Sequence, residues 1–211
     1  MPREPLVPVH ESIYRSLRQM IMFGEIAPGC SFTIRGIAND FKVSMTPVRE
    51  ATRRLAAEGA FLLSSSGRIS APELNNDRIE ELLSLRGLLE CELAIRALPR
   101  VHTALIERLS LINGSIDEMI VEENSVGYMK KNIEFHRTFY LRSHAPSILA
   151  ILENVWLRCG PTMRILYDKK IRHRTTYNHR LILSSLRDQS KDSLISVVRA
   201  DVTSGMEMLL T

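Results

Sequence analysis

From Val9 onward, apolar side chains recur at steps of three and four, and strand-favouring residues gather in only one short stretch, Phe61 to Ser70. A chain patterned in this way has to bury helical stripes against one another, so the fold class is mainly α. Its 211 residues suffice for one large domain or for a small one plus a medium one. Two domains are expected. Pro72-Glu73-Leu74-Asn75-Asn76 reads as a linker that also caps the next helix, which divides the chain into 1–74 and 75–211.

Residues 1–8 carry three prolines and read as a disordered arm. A helix on Val9, Ile13, Leu17 and Ile21 stops at Gly24; after the turn Ala27-Pro28-Gly29, Thr33 caps a short helix bearing Ile34, Ile37, Ala38 and Phe41. The stretch Ser44 to Arg54 then starts a third helix. Thr46 is expected as its cap, Pro47 at its first position and Glu50 as negative charge near its positive end. Val48, Ala51 and Leu55 share one face, and Arg49 and Arg53 project together from another. Small polar residues followed by arginines suit a helix entering a DNA major groove, with hydroxyls on phosphate and guanidinium on guanine. The same pattern suits a solvated helix with a Glu50–Arg54 pair. Two short helices joined by a tight turn make a helix-turn-helix, and Phe61 to Leu63 with Arg68 to Ser70 make a hairpin wing. Gly67 takes the wing's strained turn position, and Arg68 is placed to reach a minor groove or a phosphate.

The run Phe23 to Gly29, then Ser44-Met45-Thr46-Pro47-Val48-Arg49-Glu50-Ala51, Arg53-Arg54-Leu55 and Glu58-Gly59 resembles the N-terminal domain of the GntR family of bacterial transcription regulators. The resemblance implies a winged helix-turn-helix that binds double-stranded DNA as a homodimer on a palindromic operator. Arg35, Thr46, Arg49, Gly67 and Arg68 match positions that touch DNA in that family. Ser44 and Met45, at the same end of the third helix, are counted with them, and Arg53 is added from its position alone. Met45 departs from the family's usual arginine, and a thioether cannot make a bidentate contact to guanine.

Beyond residue 75 the pattern is helical to the end. Apolar stripes mark an antiparallel bundle of about six helices, with stops at Pro99 and Ala145-Pro146 and a break or kink expected at Gly160-Pro161. Cys30, Cys91 and Cys159 are widely spaced with no C-x-x-C, no run of about 18 apolar residues exists, and the N-terminus lacks a signal-peptide core. A cytoplasmic chain with no membrane partner is expected. The net charge of +4 is mild, so contact with nucleic acid has to come from a local patch.

Asn132 and His136 lie one turn apart on a face shared with Phe135 and Phe139, His179 sits on a later helix, and Asp201 on the last. These residues fit a hydrogen-bonded histidine core, and they equally offer imidazole and oxygen ligands to one cavity. Asn132-Ile133-Glu134-Phe135-His136 and His179-Arg180-Leu181-Ile182-Leu183 resemble the signature segments of the FCD domain, the effector-binding domain of the FadR branch of that family. The resemblance implies a divalent metal, with zinc, nickel and manganese all compatible, held by an aspartate and three histidines. Here Asn132 replaces the aspartate and Asp201 the last histidine, and His136 and His179 match. Leu85-Arg86-Gly87-Leu88-Leu89-Glu90 resembles that domain's first helix, where an arginine faces the cavity. Arg86 therefore meets either a small-molecule carboxylate effector or Glu90, four residues on. Arg158, Arg164 and His173 are also available to line a pocket.

The expectation is a ligand-responsive DNA-binding regulator, not an enzyme. Metal-dependent catalysis on the His136/His179 cavity is the alternative, but there is no H-E-x-x-H, no Gly-rich phosphate loop, and Glu134 lies off the His136 face. A winged-helix regulator whose helical half only dimerises is the other alternative.

Overall fold

The computed structural model describes residues 7–64, 67–168 and 172–206. The N-terminal part runs α1 (Val9–Met22), β1 (Ser31–Thr33), α2 (Ile34–Asp40), α3 (Met45–Ala57), β2 (Leu62–Leu63) and β3 (Arg68–Ser70). Ile13, Leu17 and Ile21 of α1 meet Val48, Ala51 and Leu55 of α3, and Phe61 and Ile69 close the core between them. The strands form an antiparallel sheet in the order β1-β3-β2, with Phe32 opposite Ile69 and Leu63 opposite Ile69. Strand β1 is an addition to the expected hairpin. Three residues are too few to show a period, and pairing with β3 is what extends them.

The start of α3 corrects the expected cap. Ser44, extended at φ −71° and ψ 163°, is the residue before the helix; it makes no side-chain capping bond, and Pro47 falls in the third helical position. Amides of the first turn have no acceptor within the helix, so proline at this place loses nothing. Glu50 therefore lies beyond the first turn, with its carboxylate 3.6 Å from Nδ1 of His10. The expected Glu50–Arg54 pair gives way to other partners. Arg54 stacks 3.6 Å above the Tyr14 ring and pairs with Glu11 at 2.9 Å and Glu58 at 3.3 Å.

The rest of the described chain is helical: α4 (Asn76–Ala97), α5 (Thr103–Val121), α6 (Ser125–Tyr140), α7 (Pro146–Asp168), α8 (Arg172–Arg187) and α9 (Lys191–Met206). Asn75 caps α4, its Oδ1 accepting from the Arg78 amide at 3.0 Å. Helix α4 packs on α7 and α9, α5 on α6 and α8, and α8 on α9. The shared core holds Leu93, Leu109, Ile116, Phe135, Phe139, Leu186 and Val198.

Helix α7 runs on through Gly160-Pro161, so of the break or kink expected there the break does not occur. An internal proline costs about 3 kcal/mol, and burial of each large apolar side chain returns about 1.5–3 kcal/mol, so Leu157 before it and Tyr167 after it, both buried, suffice to hold the helix. This helix also joins the two parts of the molecule. Leu157 belongs to the core of the N-terminal part, and Arg164 Nη1 donates to the Gly24 carbonyl oxygen at 3.0 Å.

Candidate functional site

Two arrangements carry functional chemistry. On the N-terminal part, Ser44 just before α3 and Met45, Thr46, Arg49 and Arg53 along it are exposed, as are Arg35 on α2 and Gly67 and Arg68 on the wing. Gly67 has φ +77° with open space around it, so the backbone conformation and not crowding calls for glycine. Among the described residues, the arginines of this part that make ion pairs are Arg15, Arg18 and Arg54. Arg35, Arg49, Arg53 and Arg68 keep their charge toward solvent. They therefore present a cationic surface on α2, α3 and β3, whereas Arg54 is absorbed into the packing of α1.

The second arrangement is buried in the bundle. Helix α6 directs His136 inward, α8 brings His179 and α9 brings Asp201. His136 Nε2 lies 3.2 Å from His179 Nε2 and 3.2 Å from Asp201 Oδ2. His179 Nδ1 lies 3.0 Å from Asn113 Oδ1, which can only accept, so the proton sits on Nδ1 and the Nε2 lone pair points into the cluster. Phe135 stacks on the same imidazole at 4.0 Å and fixes its plane. Burial pushes His179 down to about 3, against the pull of the Asp201 carboxylate, so the ring is neutral and its free nitrogen carries an unprotonated lone pair. Burial works against the Asp201 charge, but the His136 hydrogen bond and the nearby rings and Arg86 hold its carboxyl below the usual range.

The two separations at His136 Nε2 suit a divalent cation, and the three ligand atoms all lie within 4.8 Å of one another. Two ligand atoms each about 2.1 Å from one ion stand about 3.0 Å apart at a right angle and about 3.4 Å apart at the tetrahedral angle. Both 3.2 Å separations fall between those limits. Asn132 Oδ1 and His136 Nδ1 are buried with no hydrogen-bond partner among the described residues, and both residues line a cavity of about 20 Å³, room for one water-sized body. Two nitrogens, a carboxylate and a spare amide oxygen suit zinc, nickel or manganese.

Arg86 lines the same cavity, and its Nε donates to Glu90 Oε1 at 2.7 Å within α4. The in-helix pair is thus formed. Glu90 is fully buried and also accepts from Trp156 Nε1 at 3.1 Å and from the Tyr140 hydroxyl at 3.0 Å. Burial would drain charge from Arg86, yet the Glu90 carboxylate beside it holds its pKa above the usual guanidinium value. Glu134 pairs with Lys131, away from the histidines. Arg164 is engaged at the end of α1, Arg158 sits against Gly59, and the side chain of His173 lies outside the described residues.

Two contributors escaped the sequence reading. Asn113 interrupts the apolar stripe Leu109, Ile112, Ile116 of α5, and a lone polar residue on such a stripe is a signal of buried hydrogen bonding. Met22 belongs to α1, in the other part of the chain, and nothing local marks it as a cavity residue.

Comparison with known proteins adds the wider setting. Residues 81–203 match the FCD domain, and residues 9–68 match the bacterial regulatory proteins of the gntR family. The chain is 26% identical over 191 residues to the HTH-type transcriptional regulator McbR of Escherichia coli, covering 85% of this chain and 83% of that one. It is 27% identical over 189 residues to the gluconate operon transcriptional repressor of Bacillus subtilis, covering 85% and 76%. Among solved structures, E. coli McbR/YncC superimposes with a TM-score of 0.88 at 21% identity, covering 97% of this chain and 98% of that one. A transcriptional regulator from Rhodococcus sp. RHA1 superimposes with a TM-score of 0.81 at 18% identity, covering 95% and 97%.

Proposed function

The chain belongs to the FCD-containing gntR family of bacterial transcription regulators, and from that membership we propose that residues 1–74 read a palindromic operator while residues 75–211 dimerise and hold a metal-dependent carboxylate effector site. The single observation that carries the metal reading is the convergence of His136 Nε2, His179 Nε2 and Asp201 Oδ2, with Asn132 one turn before His136 on α6 and lining the cavity beside it. His136, His179 and Asp201 would hold the ion, with Asn132 as the neutral fourth donor. The ion would supply positive charge for anchoring an organic acid. Arg86, on the cavity wall and held in place by Glu90, adds a second cation for the same carboxylate.

The DNA reading rests on the exposed Ser44 just before α3 and Met45, Thr46, Arg49 and Arg53 along it, on Arg35 of α2, and on Gly67 and Arg68 of the wing. Occupation of the bundle shifts the population between two spacings of the recognition helices in a homodimer, and so alters the fit to half-sites about one helical turn apart. The curated relatives named above are transcriptional regulators, which supports regulation and not turnover as the activity. No described helix is long and apolar enough to cross a membrane.

The test pairs metal analysis with DNA binding. Protein purified without chelator is expected to carry one divalent ion per chain, and His136→Ala and His179→Ala to lose it. It is also expected to bind the DNA flanking its own coding region selectively and with steep salt dependence. Equal metal content in parent and both variants would remove the metal site, and absence of selective binding would remove the operator reading.

A further inference from the structure

The cavity beside His136 is closed from two sides. Asn132, Ile133, His136 and Met129 line it from α6, Met163 from α7, and Met22 from the last position of α1. Met22 is thus at once a wall of this cavity and a buried member of the N-terminal core. Its seat is fixed by close backbone contact. Gly160 faces the end of α1, where an added Cβ would stand 2.9 Å from Met22 Cα, and Arg164 donates to the Gly24 carbonyl oxygen at 3.0 Å. The space of about 20 Å³ admits one ion or one water and no multi-atom acid. Anything larger has to move a wall. The His136 side is tied through Asp201 and His179, and Trp156 is tied to Glu90, so the compliant walls are the unbranched thioethers Met22, Met129 and Met163.

We propose that Met22 makes the DNA-binding domain part of the wall of the effector cavity, so that an occupant larger than a single ion bears directly on the helix that carries α3. The inference rests on reading this cavity as the effector site, and it supplies the physical route by which occupation reaches DNA. Displacing Met22 lifts the end of α1, and Ile13, Leu17 and Ile21 carry the motion to Val48, Ala51 and Leu55 of α3, which share their core. A lone metal ion fits without displacement and leaves α3 where it is. Occupant size, and not occupancy alone, is what the N-terminal domain senses.

The test compares four full-length chains: the parent, Met163→Phe, Met22→Ala and the double variant, all checked for folding by circular dichroism. Met163→Phe fills the cavity from the helical side without altering the metal-site donors. It is expected to weaken binding to a duplex enriched from a random library by the parent roughly tenfold, and Met22→Ala in the same chain is expected to restore it. Unchanged binding in Met163→Phe, or a loss that Met22→Ala does not relieve, overturns the inference. Should the parent enrich no duplex, the operator reading fails, and Trp156 still decides the cavity claim. This single tryptophan of the chain lines the same space, so Met22→Ala is expected to raise its quenching by acrylamide several-fold. Unchanged quenching overturns the inference whatever the DNA result.

Discussion

The N-terminal part and the helical bundle handle polar side chains in opposite ways. On α2, α3 and the wing, Arg35, Arg49, Arg53 and Arg68 face water with no carboxylate partner among the described residues, on elements whose other faces are packed. In the bundle, His136, His179, Asp201, Arg86 and Glu90 are buried or nearly so, and each is bound to another. Exposed cations cost little in stability and are available to any anion. Buried groups have had their hydration removed, so each depends on its neighbours. The first region can change its contacts one residue at a time, whereas the second responds as a unit.

The largest expected effect tests this interdependence. Glu90→Ala removes the carboxylate paired with buried Arg86 and the acceptor of the Tyr140 hydroxyl and Trp156 indole, and is expected to cost about 3–5 kcal/mol in urea denaturation. Arg49→Ala is expected to change stability by less than about 0.5 kcal/mol. Comparable losses in the two variants would remove the contrast.

Metal removal comes next. Chelation of metal-loaded protein is expected to lower stability by about 4 kcal/mol when free metal had stood at a thousand times its Kd, and to have no effect on His179→Ala. Calorimetric melting with and without chelator checks both. A third effect belongs to the DNA face. Arg49→Ala is expected to reduce operator affinity roughly tenfold and to lower the salt slope by about one. The smallest concerns a single reading position: Met45→Arg is expected to leave melting unchanged while shifting base preference toward guanine by about 1–3 kcal/mol at one pair in each half-site. Selection from a random duplex library reads that change. An unaltered consensus would place residue 45 outside the groove.

How much was legible followed the range of the interactions. The stripe Val48, Ala51, Leu55 and the opposed Arg49 and Arg53 lie within three turns, and periodicity alone separated the packed face from the exposed one. Asn75 and Thr33 acted as caps because a cap bond reaches only two or three residues. The same local reasoning misplaced the cap of α3 at Thr46, since proline is compatible with more than one position of a first turn. Strand β1 and the unbroken α7 were settled by partners distant in sequence, β3 in one case and the end of α1 in the other. Arg86 had two local readings, and the Tyr140 hydroxyl and Trp156 indole that donate to Glu90 from α6 and α7 lie far from it in sequence.

The amino-acid sequence by itself determined a mainly helical chain with a winged helix-turn-helix ahead of a six-helix bundle, because helical periodicity, caps and turns act over a few residues. It also supplied His136, His179 and Asp201 as candidates, with family resemblance joining them. Only the tertiary structure set His136 Nε2 3.2 Å from both His179 Nε2 and Asp201 Oδ2, added Asn113 behind His179, and brought Met22 to the cavity wall. Those distances depend on how four helices cross and on where α1 rests against Gly160. Helix crossing is fixed by side-chain packing summed over the whole core, which no local pattern contains.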